Sequence, residues 1–88
     1  MIYVDDARLP FRNMKMCHLM AIPHNEKELK EFAMSIGIDS KYYQKSRHPH
    51  FDICESKRKK AISYGAIEIG FVELVKMSIE SNRQKAGE

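Results

Sequence analysis

The sequence lacks most of the features that identify a function directly. It contains no GxGxxG or Walker phosphate loop, no CxxC pair and no HExxH segment. No apolar run approaches the roughly 20 residues of a membrane-spanning helix, and residues 1–6 lack the basic and apolar parts of a secretory signal peptide. Two cysteines, Cys17 and Cys54, are too few for a disulfide framework. We therefore expect free thiols, a cytoplasmic location and no membrane partner.

What is present is ordinary globular composition. The chain has 88 residues, of which 43% are hydrophobic and 31% charged, with a net charge of +3. This length predicts one domain with a thin core, which we place at residues 1–80, followed by a polar tail at 81–88. A core this thin makes a homodimer reasonable. The mild positive charge permits an anionic partner without requiring one.

Local patterns predict strands and a helix in the first half. Residues 2–4 are strong strand formers, residues 7–14 are expected to form a loop, and residues 15–21 alternate as a half-buried strand does. Asn25 and Glu28 have the spacing of a capping box, and an apolar stripe follows until Gly37. A glycine there predicts a left-handed helix end.

The second half predicts two more helices around one strand. Asp52 and Glu55 repeat the capping-box spacing, so a second helix is expected from Ile53 to Tyr64. A last strand at 67–69 and a third helix after it complete the pattern. This order indicates an α/β fold, with a small three- to four-stranded, partly parallel sheet and about three helices, as a single layer or a two-layer sandwich.

Histidines and acids form the first candidate site. His50 and Asp52 are two residues apart, so in an extended segment both side chains point the same way. Together with His18 they could bind a divalent metal, or act as a base with an orienting carboxylate. Asp5 and Asp6 follow the first strand, where α/β sheets commonly place ligand-binding groups. The plainer alternative is that Asp52 caps a helix and His18 lies in the core.

One further interpretation of these residues, a zinc site, is weaker. Cys17, His18, His50 and Cys54 offer two thiols and two imidazoles, but their spacing is wrong for a zinc knuckle. Adjacent residues on a strand also point to opposite faces, which argues against one shared ion. The sequence therefore assigns no metal ligand.

Basic residues form the second candidate site. Ser56, Lys57 and Arg58 lie at the expected start of the second helix, where free N–H groups and the helix dipole suit phosphate. Arg12 and Lys15 could approach them from the first loop. A solvated basic helix face is the alternative. In addition, a tyrosine pair followed by cations is typical of a stacking patch for single-stranded nucleic acid: Tyr42, Tyr43, Lys45, Arg47 and His48.

Five segments together resemble a known family. They are YVDD (3–6), RNMKMCHL (12–19), ELKEFAMSIG (28–37), HFDI (50–53) and AISYGA (61–66). The sequence is similar over roughly residues 2–76 to the uncharacterised "domain of unknown function" family number four thousand and thirty-one, which consists of small bacterial and bacteriophage proteins. The resemblance implies no activity. It does draw attention to a Ser/Cys-His-Leu and a His-aromatic-Asp segment, which correspond to residues 17–19 and 50–52.

These observations favour a cytoplasmic domain that binds a phosphate-bearing ligand, either a nucleotide or nucleic acid. Arg12, Lys15, Ser56, Lys57 and Arg58 would hold the phosphate, and His18, His50 and Asp52 would complete the pocket or perform phosphoester chemistry. The alternative is a phage-type interaction module that binds and modulates a host protein without catalysis. The sequence decides neither whether the protein is an enzyme nor which cofactor it uses.

Overall fold

A computed structural model describes residues 1–86 as a five-stranded mixed sheet with three α-helices. The α/β class, the partly parallel sheet and the three helices are confirmed, with one strand more than expected. A single 3-10 turn at Ser40–Tyr42 connects the first helix to the fourth strand. The strands are β1 Ile2–Val4, β2 Leu9–Phe11, β3 Met14–Ala21, β4 Phe51–Cys54 and β5 Ile67–Glu68, and the helices are α1 Glu26–Ser35, α2 Glu55–Ser63 and α3 Phe71–Ala86.

Strand β3 is the centre of the sheet because it is long enough to pair with three others. On one side it pairs with β1 near its end and with β2 near its start, both antiparallel. On the other side it pairs antiparallel with β4, in a register that sets His18 opposite Asp52. Strand β5 lies outside β1 and runs parallel to it.

The two faces of the sheet differ in character. One face carries the buried side chains of Val4, Leu19 and Phe51, against which α1 and α2 pack through Leu29 and Ala61. The opposite face carries the residues that alternate with these, including His18 and Asp52. Helix α3 contacts this second face, since the ring of Phe71 stacks on His18.

The ends of α1 form as its sequence predicts. The Asn25 side chain accepts a hydrogen bond from the Glu28 N–H at 3.0 Å. At the other end Gly37 has a φ of +84°, and the Ile38 N–H bonds back to the Ala33 carbonyl at 2.9 Å. This is a Schellman ending, in which the left-handed residue turns the chain so that the last carbonyls are satisfied.

Two element boundaries differ from the sequence-based expectation. Residues 9–11, expected in a loop, form β2 and make a hairpin with the start of β3. Helix α2 begins at Glu55 and not at Ile53, because Phe51 and Ile53 are both buried on the core face of β4. Asp52 therefore does not cap a helix. Its side chain projects from the middle of a strand.

Helix α3 continues past residue 80 to Ala86, and Ser81 is buried. The side chain of Ser81 accepts a hydrogen bond from the His24 N–H at 3.0 Å, which ties this part of α3 to the segment after β3. None of the helices within residues 1–86 combines the length and the apolar character needed to cross a lipid bilayer.

Candidate functional site: a His–His–Asp cluster

Three neighbouring strands place Asp5, His18 and Asp52 in one row across the sheet. The N–H of Asp5, directly after β1, donates to the His18 carbonyl at 3.1 Å, and His18 pairs with Asp52 on the other side. Residues paired in this way project from the same face of a sheet. The row therefore brings an imidazole between two carboxylates, although the three residues are far apart in the sequence.

Asp5 fixes the orientation of the His18 ring. Its carboxylate is fully buried and lies 2.6 Å from Nδ1 of His18. The other carboxylate oxygen accepts the backbone N–H groups of His18 at 2.8 Å and Ala7 at 3.2 Å. Because an ionised carboxylate only accepts, the proton resides on Nδ1 of the neutral ring, and Nε2 presents a lone pair to the site.

The same contacts shift the pKa values of Asp5 and His18. Burial opposes ionisation of Asp5, but the hydrogen bonds from the His18 ring, the His18 N–H and the Ala7 N–H together lower the pKa of Asp5. The hydrogen bond to Asp5 raises the pKa of His18, partly offset by burial, and the charges of Asp5 and Asp52 raise it further. The pair is thus a strong hydrogen bond in which Asp5 stays negative.

His50 is oriented by a backbone carbonyl. Its Nδ1 lies 2.7 Å from the carbonyl oxygen of His48, which can only accept, so Nδ1 carries the proton. A bridge between Gln44 and His50 holds this stretch of backbone beside β4. The remaining nitrogen, Nε2, lies 3.3 Å from Oδ1 of Asp52. His50 and Asp52 therefore point the same way, as their spacing predicts.

Asp52 completes the cluster and has its own orienting partner. The Gln44 side-chain amide donates to Oδ2 of Asp52. The other carboxylate oxygen of Asp52, Oδ1, faces both imidazoles and lies 3.8 Å from Nε2 of His18 and 3.3 Å from Nε2 of His50. The Asp52 side chain is 39% exposed and those of the histidines less than half of that, so the cluster opens to solvent on the carboxylate side.

The converging atoms make a set of metal-ligand type. One nitrogen from each histidine and one oxygen of Asp52 lie within 4.8 Å of one another. Each of the three side chains has a hydrogen-bond partner on the side away from the others. His18 bonds to Asp5, His50 to the His48 carbonyl and Asp52 to Gln44. Outer partners of this kind are typical of metal sites, because they fix the tautomer and direction of each ligand. Without a metal, the same arrangement can act as a base with an orienting carboxylate.

Helix α3 supplies one wall of the cluster. The Phe71 ring stacks on His18 at 5.4 Å between centroids, while the His50 ring meets His18 edge-on at 5.2 Å. The Phe71 N–H donates to the Asp6 carboxylate at 3.1 Å, so the acid after Asp5 anchors the first turn of α3. The two acids that end β1 thus act separately, one on His18 and one on the helix that covers it.

The five residues expected to bind phosphate do not share one partner. Lys57 donates from Nζ to the Ile36 carbonyl at 2.9 Å, which satisfies the end of α1. Arg58 donates from Nε to the Asp5 carbonyl at 2.8 Å and from a terminal nitrogen to Glu68 at 3.2 Å. Both cations therefore have structural partners on different elements.

The other members of that set are dispersed. Lys15 lies on β3 at odd spacing from His18 and so faces the opposite side of the sheet. Ser56 is exposed, with its hydroxyl 3.2 Å from Sγ of Cys54. Arg12 occupies the turn between β2 and β3, with its guanidinium 5.4 Å from the centroid of the Phe11 ring.

The two cysteines do not join the cluster. Both are free thiols, and Cys17 is buried on the core face, away from His18. Cys54 is partly exposed at the end of β4, where the Ser56 hydroxyl and the first N–H groups of α2 lower the pKa of its thiol despite partial burial. The two thiols and two imidazoles considered as a zinc site therefore do not come together in the fold.

Several functional residues carry no local sequence signal. Gln44, the His48 carbonyl and Phe71 reach the cluster from the connector and from α3. The carboxylate of Asp5 could be placed near a strand end, but its bond to His18 depends on the pairing of β1 with β3. The β-sheet register would have identified Asp5, whereas the other three contacts also depend on how the connector and α3 pack on the sheet.

The comparison with protein families agrees with the resemblance seen in the sequence. The profile of a family described as a protein of unknown function, DUF4031, matches residues 2–81. No curated protein and no solved structure gave a significant match to this chain. The matched range includes every residue of the cluster and its orienting partners, and the chain belongs to the DUF4031 family.

Proposed function

We propose that this chain is a metal-dependent hydrolase of phosphate esters, in which His18, His50 and Asp52 bind one divalent transition-metal ion. The observation that carries the proposal is that each of the three side chains has an outer partner of its own, which leaves one potential ligand atom per residue directed inward. If the three side chains served only for packing, each would not need one atom bonded to an outer partner and a second atom facing the shared space.

The geometry suits an ion of borderline softness. Two ligand atoms about 2.1 Å from a tetrahedral ion lie roughly 3.4 Å apart. The separations from Asp52 Oδ1 are 3.3 Å to His50 and 3.8 Å to His18, and all three ligand atoms lie within 4.8 Å of one another, so the side chains would have to move closer together around an ion. Two imidazoles and one carboxylate favour Zn²⁺, Co²⁺, Fe²⁺ or Mn²⁺ over the all-oxygen ligands preferred by Mg²⁺ and Ca²⁺.

Three protein ligands leave coordination positions for water and substrate, as catalytic sites require. A bound divalent ion lowers the pKa of its water to about 7 and so supplies hydroxide at neutral pH. His18, His50 and Asp52 would hold the ion, which would supply a hydroxide nucleophile for phosphorus. As the bond from phosphorus to the alcohol oxygen broke, that oxygen would take up the proton that the water had lost. The net charge of +3 is compatible with an anionic substrate.

Metal binding is the first test. Chelator-treated protein is titrated with Zn²⁺, Co²⁺ and Mn²⁺ by calorimetry and by thermal unfolding. At about 100 times the dissociation constant, binding adds about 2.7 kcal/mol of stability, which corresponds to a rise in Tm of about 10 °C or more. His50→Gln and Asp52→Asn should abolish the rise. Asp39→Asn is the matched control, because Asp39 caps the 3-10 turn and is not one of the three clustered residues.

Hydrolysis is the second test. Bis(p-nitrophenyl) phosphate and p-nitrophenyl phosphate are offered to the protein loaded with each metal, and release of nitrophenol is followed. We expect turnover by wild type and Asp39→Asn that is lost in Asp52→Asn and after chelation. A protein that binds none of the three metals, or that binds them equally well in Asp52→Asn, would refute the proposal.

A further inference from the structure

An apolar groove lies beside the cluster. It has a volume of about 590 Å³ and is bounded by the β2–β3 hairpin, the connector after α1, and the junction of β4 with α2. Its apolar lining includes exposed side chains that a small domain would ordinarily bury. These are Leu9, Phe11, Met14 and Tyr42, which are between 43% and 59% exposed.

The groove and the cluster share a wall. Asp52 and Gln44 line the groove, and the same two side chains are bonded to each other behind the cluster. Met16 lines the groove and lies two residues from His18 on the same face of β3. A molecule that fills the groove is therefore adjacent to the carboxylate that would bind the metal.

Two exposed aromatic rings in the groove each carry a cation. The Arg12 guanidinium lies 5.4 Å from the centroid of Phe11, and Nζ of Lys41 lies 5.2 Å from that of Tyr42. Both rings line the groove, one from the hairpin and the other from the connector. Aromatic rings paired with cations are the arrangement that binds unpaired bases together with their phosphates.

We propose that this groove binds the bases of a single-stranded nucleic acid, with Phe11 and Tyr42 stacking on bases and Arg12 and Lys41 contacting phosphates, so that a phosphodiester of the strand lies at His18, His50 and Asp52. This inference rests on the proposed function, whose substrate class it specifies. Duplex bases are stacked on each other and offer no face to a protein ring, so a duplex is excluded.

The charge of the groove predicts a dependence on metal. Among the described residues that line it, Asp52 is the one acid and Lys57 the one base, and Nζ of Lys57 is already bonded to the Ile36 carbonyl. Without a metal this carboxylate repels phosphate, whereas a bound divalent ion reverses the local charge. The strand should accordingly bind more tightly to the metal-loaded protein. The lining is mainly apolar, so stacking should tolerate any base and sequence preference should be weak.

Fluorescence anisotropy with labelled single-stranded DNA and RNA 12-mers tests the inference, in low salt because phosphate contacts weaken as salt rises. A phosphorothioate backbone limits cleavage, and a blunt duplex of the same sequence is the comparison. We expect the single strands to bind the metal-loaded protein at least about 10-fold more tightly than the duplex does. Phe11→Ala and Tyr42→Ala should each weaken binding by about 10-fold.

Tyr64→Ala is a closely matched control. Tyr64 is 54% exposed, has Nζ of Lys60 at 5.9 Å from its ring centroid and does not line the groove. Its substitution should change affinity by less than 2-fold. Metal titration of each variant verifies that the fold and the cluster remain intact.

Equal affinity for duplex and single strand, unchanged affinity in both groove variants, or no binding of any oligonucleotide would overturn the inference. Each of these results leaves the proposed function standing if nitrophenyl esters are still hydrolysed. Conversely, strands that bind through Phe11 and Tyr42 to a protein that takes up no metal would support the groove and refute the hydrolase.

Discussion

Two groups of histidines occupy this small fold, and only one of them is open. In the cluster of His18, His50 and Asp52, each ring has its Nδ1 bound from behind and its Nε2 directed to a shared space. In the second group, His24 and His48 converge on the fully buried Ser78 hydroxyl, at 2.8 Å and 2.6 Å. There the shared space is already filled by a protein atom.

The comparison shows that the group lying between two histidines decides whether their nitrogens are hydrogen-bonded within the protein or face an open site. A hydroxyl can donate to one ring and accept from the other, so Ser78 satisfies both histidines internally. The shared neighbour of His18 and His50 is instead the carboxylate of Asp52, which when ionised can only accept. His48 links the groups, because its ring bonds to Ser78 while its carbonyl orients His50.

Removing one histidine from the open cluster should have the largest effect. His18→Ala deletes a ligand and leaves the carboxylate of Asp5 buried without its imidazole. We expect metal affinity to fall by more than the roughly 10- to 100-fold that loss of an outer partner causes. Competition with a chromophoric chelator measures this change. Retention of wild-type affinity would contradict the distinction between the two groups.

Asp5→Asn should have the next largest effect. The amide keeps the size of the carboxylate but loses the charge that fixes the Nδ1 proton of His18. Metal affinity should drop about 10- to 100-fold while the three ligands stay in place. The same chelator competition applies, with Asp39→Asn unchanged. An Asp5→Asn protein with full affinity would mean that the orienting bond has no role in binding.

Ser78→Ala should affect stability more than metal affinity. The substitution leaves two histidine nitrogens without their hydroxyl, which costs about 1–3 kcal/mol for buried polar groups. Urea unfolding measures the loss. Ser56→Ala, at an exposed position, should change stability by less than about 0.5 kcal/mol. A large loss of metal affinity in Ser78→Ala with little loss of stability would reverse the assignment of the two groups.

The smallest effect is the pH dependence of the metal-free protein. Since the pKa of His18 is raised above 6.5, its contribution to stability is complete below pH 6.5 and is lost as pH rises through the folded pKa. The pKa of Asp5 is lowered below 3.8, so its contribution is complete above pH 3.8 and is lost as pH falls through the folded pKa. The pair thus stabilises most between these values.

Urea unfolding in chelator at pH 5, 6, 7 and 8 checks this dependence. Wild type should lose stability as the pH rises above 6.5, by at most about 1.4 kcal/mol per pH unit, and His18→Gln should lose less. Equal slopes in the two proteins would show that the bond between Asp5 and His18 does not stabilise the fold.

Local patterns predicted the parts of the fold that depend on local forces. The alternation in residues 15–21 predicted β3, and Asn25, Glu28 and Gly37 predicted both ends of α1. These signals succeed because capping and side-chain alternation are determined within a few residues. They also placed His50 and Asp52 on one side of an extended segment.

Other features depend on distant pairing, and there the local signals misled. Asp52 and Glu55 have capping-box spacing, yet burial of Phe51 and Ile53 extends β4 through Cys54 and turns Asp52 toward His18. Strand β2 is three residues long and contains a proline, so it shows little pattern of its own. Gln44 and Ser78 reach their partners only after the sheet and α3 have assembled.

The two cysteines have a consequence for how this protein responds to oxidants. Cys17 lies inside the core, where it pairs with Ile53 of β4. Cys54 follows Ile53 in the chain and therefore points to the opposite face of the sheet. Thiols that point to opposite sides of a sheet cannot be cross-linked without breaking its strands apart. An intramolecular disulfide between Cys17 and Cys54 is therefore incompatible with this fold. Cys54 alone offers a sulfur for selective alkylation, which provides an attachment point for a spectroscopic label beside the groove.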